Sequence, residues 1–249
     1  TVSINGLITA NGSNSTSYGY GGGAGGSVYI TCATFGGVTD GLVRVNGGTP
    51  ANSGWHSGGG GGGRIAVNYS SLGDPCDVHF QARRAAGGFA DSYPDQLGPF
   101  ASEPGTLWLP DTNMFHTAIT NGGFSDCRLV IPGFTSWTAD NLTISNSSFR
   151  LPDTGFILNV AGDLCVVGGY LGVGSSNGIS TITVGRDLVL TNSGCLSVYS
   201  GVDTGQGYGA RVRVGRNVTI AGSSWLYPYS HPTNGGSVLL TAKGLTIAS

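Results

Sequence analysis

Through the second half of the chain apolar residues recur at every second position in short runs, and the runs fall into three lines. The first holds ADNLTI (139–144), AGDLCV (161–166), VGRDLVL (184–190), VGRNVTI (214–220) and AKGLTI (242–247). Its central apolar residue is Leu142, Leu164, Leu188, Val218 and Leu245, at spacings of 22, 24, 30 and 27. A second line follows seven or eight residues later: Phe149-Arg150-Leu151, Tyr170-Leu171-Gly172-Val173, Cys195-Leu196-Ser197-Val198 and Trp225-Leu226-Tyr227-Pro228-Tyr229. A third precedes each unit, as in FILNV (156–160), STITV (180–184) and ARVRV (210–214). Alternation at period two predicts strands with one buried face. Three such strands per unit, separated by Gly, Asn, Asp and Ser, predict one coil of a parallel β-solenoid, which buries its apolar face only by stacking on its neighbours. The uneven spacing predicts an irregular solenoid whose turns protrude.

The first half has longer, glycine-interrupted units: TVSINGLITANG (1–12), GGSVYITC (25–32), GLVRVNGG (41–48), GRIAVNY (63–69), DVHFQARRAAGG (77–88) and GTLWLP (105–110). VSINGLITANG resembles TAKGLTIAS at the far end, so the reading is one solenoid over 1–249. Within it lie glycine-rich coils over 1–110, an irregular coil or lateral loop over 111–138, and regular coils of 22–30 residues over 139–249. Helical periodicity is nearly absent, and the expectation is an all-β chain of about ten coils with no significant helix. Strand-forming segments stand near both ends, at Val2 and Ile247, with no capping segment; this predicts coils that continue or copies that stack head to tail.

Composition changes the picture mainly through glycine, 46 of 249 residues, and through charge, only 10%. With eleven Lys and Arg and a net charge of −2, neither a nucleic-acid footprint nor a polybasic membrane patch is present. No stretch is apolar over the length that a membrane helix needs. The run SGGGGGGRIAVNY (57–69) is not a phosphate loop, because Gly63 is followed by Arg64-Ile65 rather than Lys and Ser or Thr. Gly58, Gly59, Gly60, Gly61, Gly62 and Gly63 are instead expected to pack backbone on backbone, with the 21–26 cluster as partner, where a Cβ would collide.

Five dispersed cysteines, Cys32, Cys76, Cys127, Cys165 and Cys195, lack a C-x-x-C pair and leave open buried thiols or one or two disulfides. Sequons at Asn11, Asn14, Asn68, Asn141, Asn146 and Asn217 are candidate N-glycosylation sites and favour a secreted setting. The four histidines share no repeat position, and no metal triad is proposed from them.

Two candidate chemistries remain. Asp74, Asp77, Asp91, Asp95 and Asp111 with His79, Arg83 and Arg84 form the densest polar stretch. As a site they would suit polysaccharide cleavage by a lyase or glycoside hydrolase, with Ca²⁺ on clustered Asp and Arg83 near the reacting carbon. The phrases Asp74-Pro75, Pro94-Asp95 and Pro110-Asp111 read more simply as turns, so no catalytic residue is assigned. Tyr199, Trp225, Tyr227 and Tyr229 recur along the second line as a surface that either stacks on sugar rings or packs laterally on a neighbour. Asp163, Asp187, Asn217 and Gly244 occupy one repeat position, suiting a ladder, a cation or a turn requirement. Arg186 and Arg216 stand one coil apart, and Arg211 and Arg213 flank Val212 on the outside.

The phrases GGGAGGSVYITC, GLVRVNGG, SGGGGGGRIAVNY and EPGTLWLP, over residues 21–110, resemble glycine-rich modules of very large surface and secreted proteins. Asn46-Gly47-Gly48 matches that family's ANGG turn, Tyr29 and Trp108 its aromatic position, and Gly105 its glycine before a strand. The second half is similar to generic adhesin-type or pectate-lyase-like β-helices. The resemblance implies a right-handed parallel β-helix in an extracellular structural or adhesive protein, and no defined reaction. The expected role is thus a structural segment of a filament, appendage or surface adhesin, without enzymatic activity. Its partners would be copies of itself, further coils or extracellular glycans, with no nucleic acid, no membrane insertion and no cofactor. Polysaccharide binding or cleavage is the alternative.

Overall fold

The computed structural model describes residues 1–17, 20–51, 57–86, 102–120, 122–234 and 236–248. They hold only β-strands and connections, with no helix, and the fold is a right-handed parallel β-helix, as the repeat lines and the resemblance lead one to expect. The chain divides into two compact units, Thr1–Asp111 with Gly123–Ile131, and Thr112–Gly122 with Pro132–Ser249.

The first unit contains β1 (Val2–Ile4), β2 (Leu7–Thr9), β3 (Ser27–Gly37), β4 (Leu42–Arg44), β5 (Arg64–Cys76), β6 (His79–Gln81) and β7 (Gly105–Trp108). β8 (Ala118–Ile119) belongs to the second unit and β9 (Phe124–Val130) to the first. Two parallel lines run through this unit, β1-β3-β5-β7-β9 and β2-β4-β6-β9. Val28, Ile65, Leu107 and Leu129 are in register and point inward, the last three of them buried. Phe80 is sandwiched between Phe35 and Phe124, with ring centroids 6.3 Å away on each side.

Between these strands the glycine segments form a second lattice. Gly60 donates its N–H to the Gly48 carbonyl at 2.9 Å and Gly63 to that of Val45 at 2.7 Å, while Gly62 donates to Glu103 at 3.1 Å. The carbonyls of Gly58, Gly60 and Gly61 accept from Gly22, Ala85 and Gly25. Segment 57–63 is therefore bonded to segments 20–26, 45–51, 82–86 and 102–105. A sheet strand bonds to neighbours in one plane only. Partners on more sides, with bonds to one neighbour recurring at steps of three (22 and 25, 60 and 63), are the mark of the three-residue turn of polyproline II geometry. At Gly60 a Cβ would land on the Gly23 carbonyl oxygen and stand 2.9 Å from the Gly48 nitrogen. The run thus packs backbone on backbone against the 21–26 cluster, but the expected collision is not general to it: at Gly61 the nearest atom to a Cβ is the Glu103 oxygen at 3.7 Å.

The second unit contains β10 (Ser136–Ala139), β11 (Leu142–Ser145), β12 (Ser148–Leu151), β13 (Ile157–Val160), β14 (Leu164–Val167) and β15 (Tyr170–Val173). There follow β16 (Ser180–Val184), β17 (Leu188–Thr191), β18 (Cys195–Tyr199), β19 (Ala210–Val214), β20 (Asn217–Ile220), β21 (Trp225–Tyr229), β22 (Val238–Thr241) and β23 (Gly244–Ile247). Three parallel lines result: β8-β11-β14-β17-β20-β23, β10-β13-β16-β19-β22 and β12-β15-β18-β21. Leu142, Leu164, Leu188, Val218 and Leu245 pair in one register, as their sequence spacing predicts. The first four are fully buried, each side chain stabilising the stack by about 1.5–3 kcal/mol. In the less regular stretch, Phe115 packs edge-on to Trp137 and Phe149, with ring centroids 5.4 and 6.1 Å away.

Candidate functional site

The outer face of β12, β15, β18 and β21 carries the aromatic candidates. Inward residues here are Phe149, Leu171, Leu196 and Leu226, in register, so alternation sends Arg150, Gly172, Ser197 and Tyr227 outward in one column. A neighbouring outward column holds Tyr199 and Tyr229, and a third holds Tyr170, Cys195 and Trp225. Tyr199 and Tyr229 stack nearly parallel at 4.7 Å and 7°, which is the coil spacing itself. The Arg150 guanidinium lies 3.5 Å from the Tyr199 ring centre. It is fixed there by Nε and Nη2 donating to the Gly174 carbonyl at 3.2 and 2.8 Å. Gly172 makes room for it, since a Cβ there would meet the Tyr170 hydroxyl at 2.8 Å and Arg150 Cγ at 3.0 Å. β12 and β21 lie on opposite sides of β18 in the stack, so Arg150 and Tyr229 occupy the two faces of Tyr199. Its ring thus stands within a column rather than flat on the surface as a sugar platform. Trp225 and Tyr229 remain 41% and 44% exposed.

Burial pushes the Tyr170 hydroxyl well above the usual tyrosine range, and the hydroxyl of Tyr199, 3.1 Å away, adds to the shift. Burial does the same to Tyr69, which donates to Asp111 Oδ1 at 2.6 Å. A proton held more tightly in the folded than the unfolded chain gives stability that is full below about pH 10 and falls as pH rises above it. Thermal unfolding followed from pH 8 to 11 should show a falling midpoint above pH 10. The Tyr69→Phe/Tyr170→Phe double variant should show a flatter fall.

The repeat position of Asp163 is a hydrogen-bonded ladder. Asn141 Oδ1 accepts the Asp163 N–H at 3.0 Å, Asp163 Oδ1 that of Asp187 at 3.1 Å, and Asp187 Oδ1 that of Asn217 at 2.9 Å. Each side chain thereby satisfies a backbone donor one coil on. Arg186 Nη2 pairs with Asp163 Oδ2 at 2.7 Å. The first unit repeats the device: Asn11 accepts from the Asn46 N–H at 2.8 Å, Asn46 from Arg83 at 2.9 Å, and Asn14 from Thr49 at 2.9 Å. Asp187→Ala should cost about 1 kcal/mol in chemical denaturation, while Asp187→Asn, which keeps Oδ1, should be close to neutral.

Of the polar stretch weighed for cleavage, Asp91 and Asp95 lie outside the described residues. The others stand on separate features. Asp74 is in the tail of β5, with Asp77 just beyond it, and Asp111 holds Tyr69. Arg83 reaches Ser125 Oγ at 3.3 Å, and Arg84 pairs with Asp126 at 3.5 Å. Asp126, which no repeat or cluster in the sequence marks, has its carboxyl pushed up by burial while Arg84 pulls it down. Among the described residues no three His, Cys, Asp or Glu gather as a metal site. The five cysteines are free thiols, with Cys127 and Cys195 buried. Asn11, Asn14, Asn141 and Asn217 take part in the ladders, Asn146 is exposed at a positive φ of 52°, and Asn68 is half-buried on β5. No described helix is long and apolar enough to cross a membrane.

Comparison with protein-family models, curated proteins and solved structures finds no match. The fold agrees with adhesin-type and pectate-lyase-like β-helices without being specific to either.

Proposed function

We propose that the chain is a structural segment of an extracellular filament, appendage or surface adhesin, assembling by coil stacking or head-to-tail contact. The observation that carries this reading is the translational character of the bonding. Each coil meets the next through strand pairing, through the Asn and Asp ladders and, in the glycine-rich part, through backbone carbonyls and amides. Such a lattice extends by adding like units. Low charge and the sequons support an extracellular setting.

Electron microscopy of native material, with an antibody to this chain, tests the reading. Labelled filaments or surface appendages are expected, and a native protein found only as soluble monomers inside cells would refute it.

A further inference from the structure

The outer face of β3, β5, β7 and β9 shows an order that no single stretch of sequence displays. Ser27, Arg64, Thr106 and Arg128 form one outward column, and Tyr29, Ala66, Trp108 and Val130 form the next. Read coil by coil, the large side chains alternate: Tyr29 on β3, Arg64 on β5, Trp108 on β7 and Arg128 on β9. Tyr29 is 72% exposed, Arg64 is exposed, and Trp108 and Arg128 are half-buried. Neither arginine is in an ion pair among the described residues, and no acidic residue stands in either column. The small Ala66 stands between Tyr29 and Trp108 in their column.

We infer that this face binds an extended, β-linked acidic polysaccharide lying along the coil stack. This deepens the adhesive reading above and rests on it. Coils are spaced by roughly 4.8 Å, close to the length that one pyranose adds to such a chain. In an extended β-linked chain alternate sugars turn over, so every second sugar presents the same side. Rings on every second coil, Tyr29 and Trp108, meet the apolar C–H faces of alternate sugars. Guanidiniums on the coils between, Arg64 and Arg128, meet uronate carboxylates with the planar fork that suits them. A neutral glycan would use the rings and leave the arginines idle. The Tyr199 column lacks this order, because its rings stack on one another and on Arg150.

Affinity electrophoresis and calorimetry of the whole chain with polymannuronate as probe, and a neutral β-linked mannan as control, test the inference. Binding to polymannuronate that weakens steeply with salt is expected, with much weaker binding to mannan. Tyr29→Ala should weaken it about tenfold, the usual cost of removing an aromatic anchor. Arg64→Glu should weaken it further and remove most of the salt dependence. Both side chains are exposed, so both variants should keep the parent thermal midpoint. No binding, equal binding to mannan, or unchanged affinity in both folded variants would overturn the inference. Labelled filaments or surface appendages seen with native material in that event would leave the structural reading standing, whereas binding by a native protein found only as soluble monomers inside cells would remove that reading alone.

Discussion

Gly60→Ala should destabilise the first unit by about 3 kcal/mol or more, while Gly61→Ala, one residue on, should be neutral or stabilising by about 0.4–1 kcal/mol. A methyl at Gly60 lands on the Gly23 carbonyl and crowds the Gly48 amide, backbone atoms of two neighbouring segments that are themselves hydrogen-bonded. Neither can yield without breaking its own bonds. At Gly61 the nearest atom to a new Cβ is the Glu103 oxygen at 3.7 Å, an ordinary contact, so the gain comes from a less flexible unfolded chain. From the sequence both positions are expected to be intolerant, since they are adjacent members of one run. The structure separates them because successive residues of a three-residue turn face different neighbours. Urea denaturation of the two variants measures the difference. Equal effects would mean that the run is not packed as described.

The second large effect is expected at Phe80. Its ring is fully buried between Phe35 and Phe124, at interplanar angles of 24° and 13°. Phe80→Ala removes the middle of this column and should cost about 3–5 kcal/mol. Phe80→Leu keeps most of the volume and should cost less than about 1.5 kcal/mol. Denaturation midpoints of the two variants provide the check, and a loss below about 1 kcal/mol for Phe80→Ala would show that the column is not a core.

What was legible in the sequence follows from which atoms carry the pattern. The strands of the second unit could be read because their inward residues repeat and fall into one register, Leu142 to Leu245 being the clearest column. The ladder position of Asp163 and Asp187 was visible for the same reason, but the choice among ladder, cation and turn needed the hydrogen bonds. The glycine lattice left no side-chain signal beyond glycine itself, so its backbone packing could be inferred but not its bonding to four segments. Tyr29, Arg64, Trp108 and Arg128 were legible one at a time only. Their coils differ in length, and the available cue was that each sits beside a residue of the inward column Val28, Ile65, Leu107 and Leu129. The acidic stretch near Asp74 looked dense because its members are close in sequence, whereas chain direction carries Asp77 and Arg83 to opposite ends of β6.

The central claim is that the glycine-rich part is a backbone-bonded lattice continuous with a β-helix, and amide hydrogen exchange tests it most directly. The amides of Gly22, Gly25, Gly48, Gly60 and Gly63 each donate to a carbonyl of another segment. They should be protected to the same order as those of Ile65 and Val67 in β5. Exchange of these glycine amides at the rate of an unstructured peptide, with β5 still protected, would contradict the account.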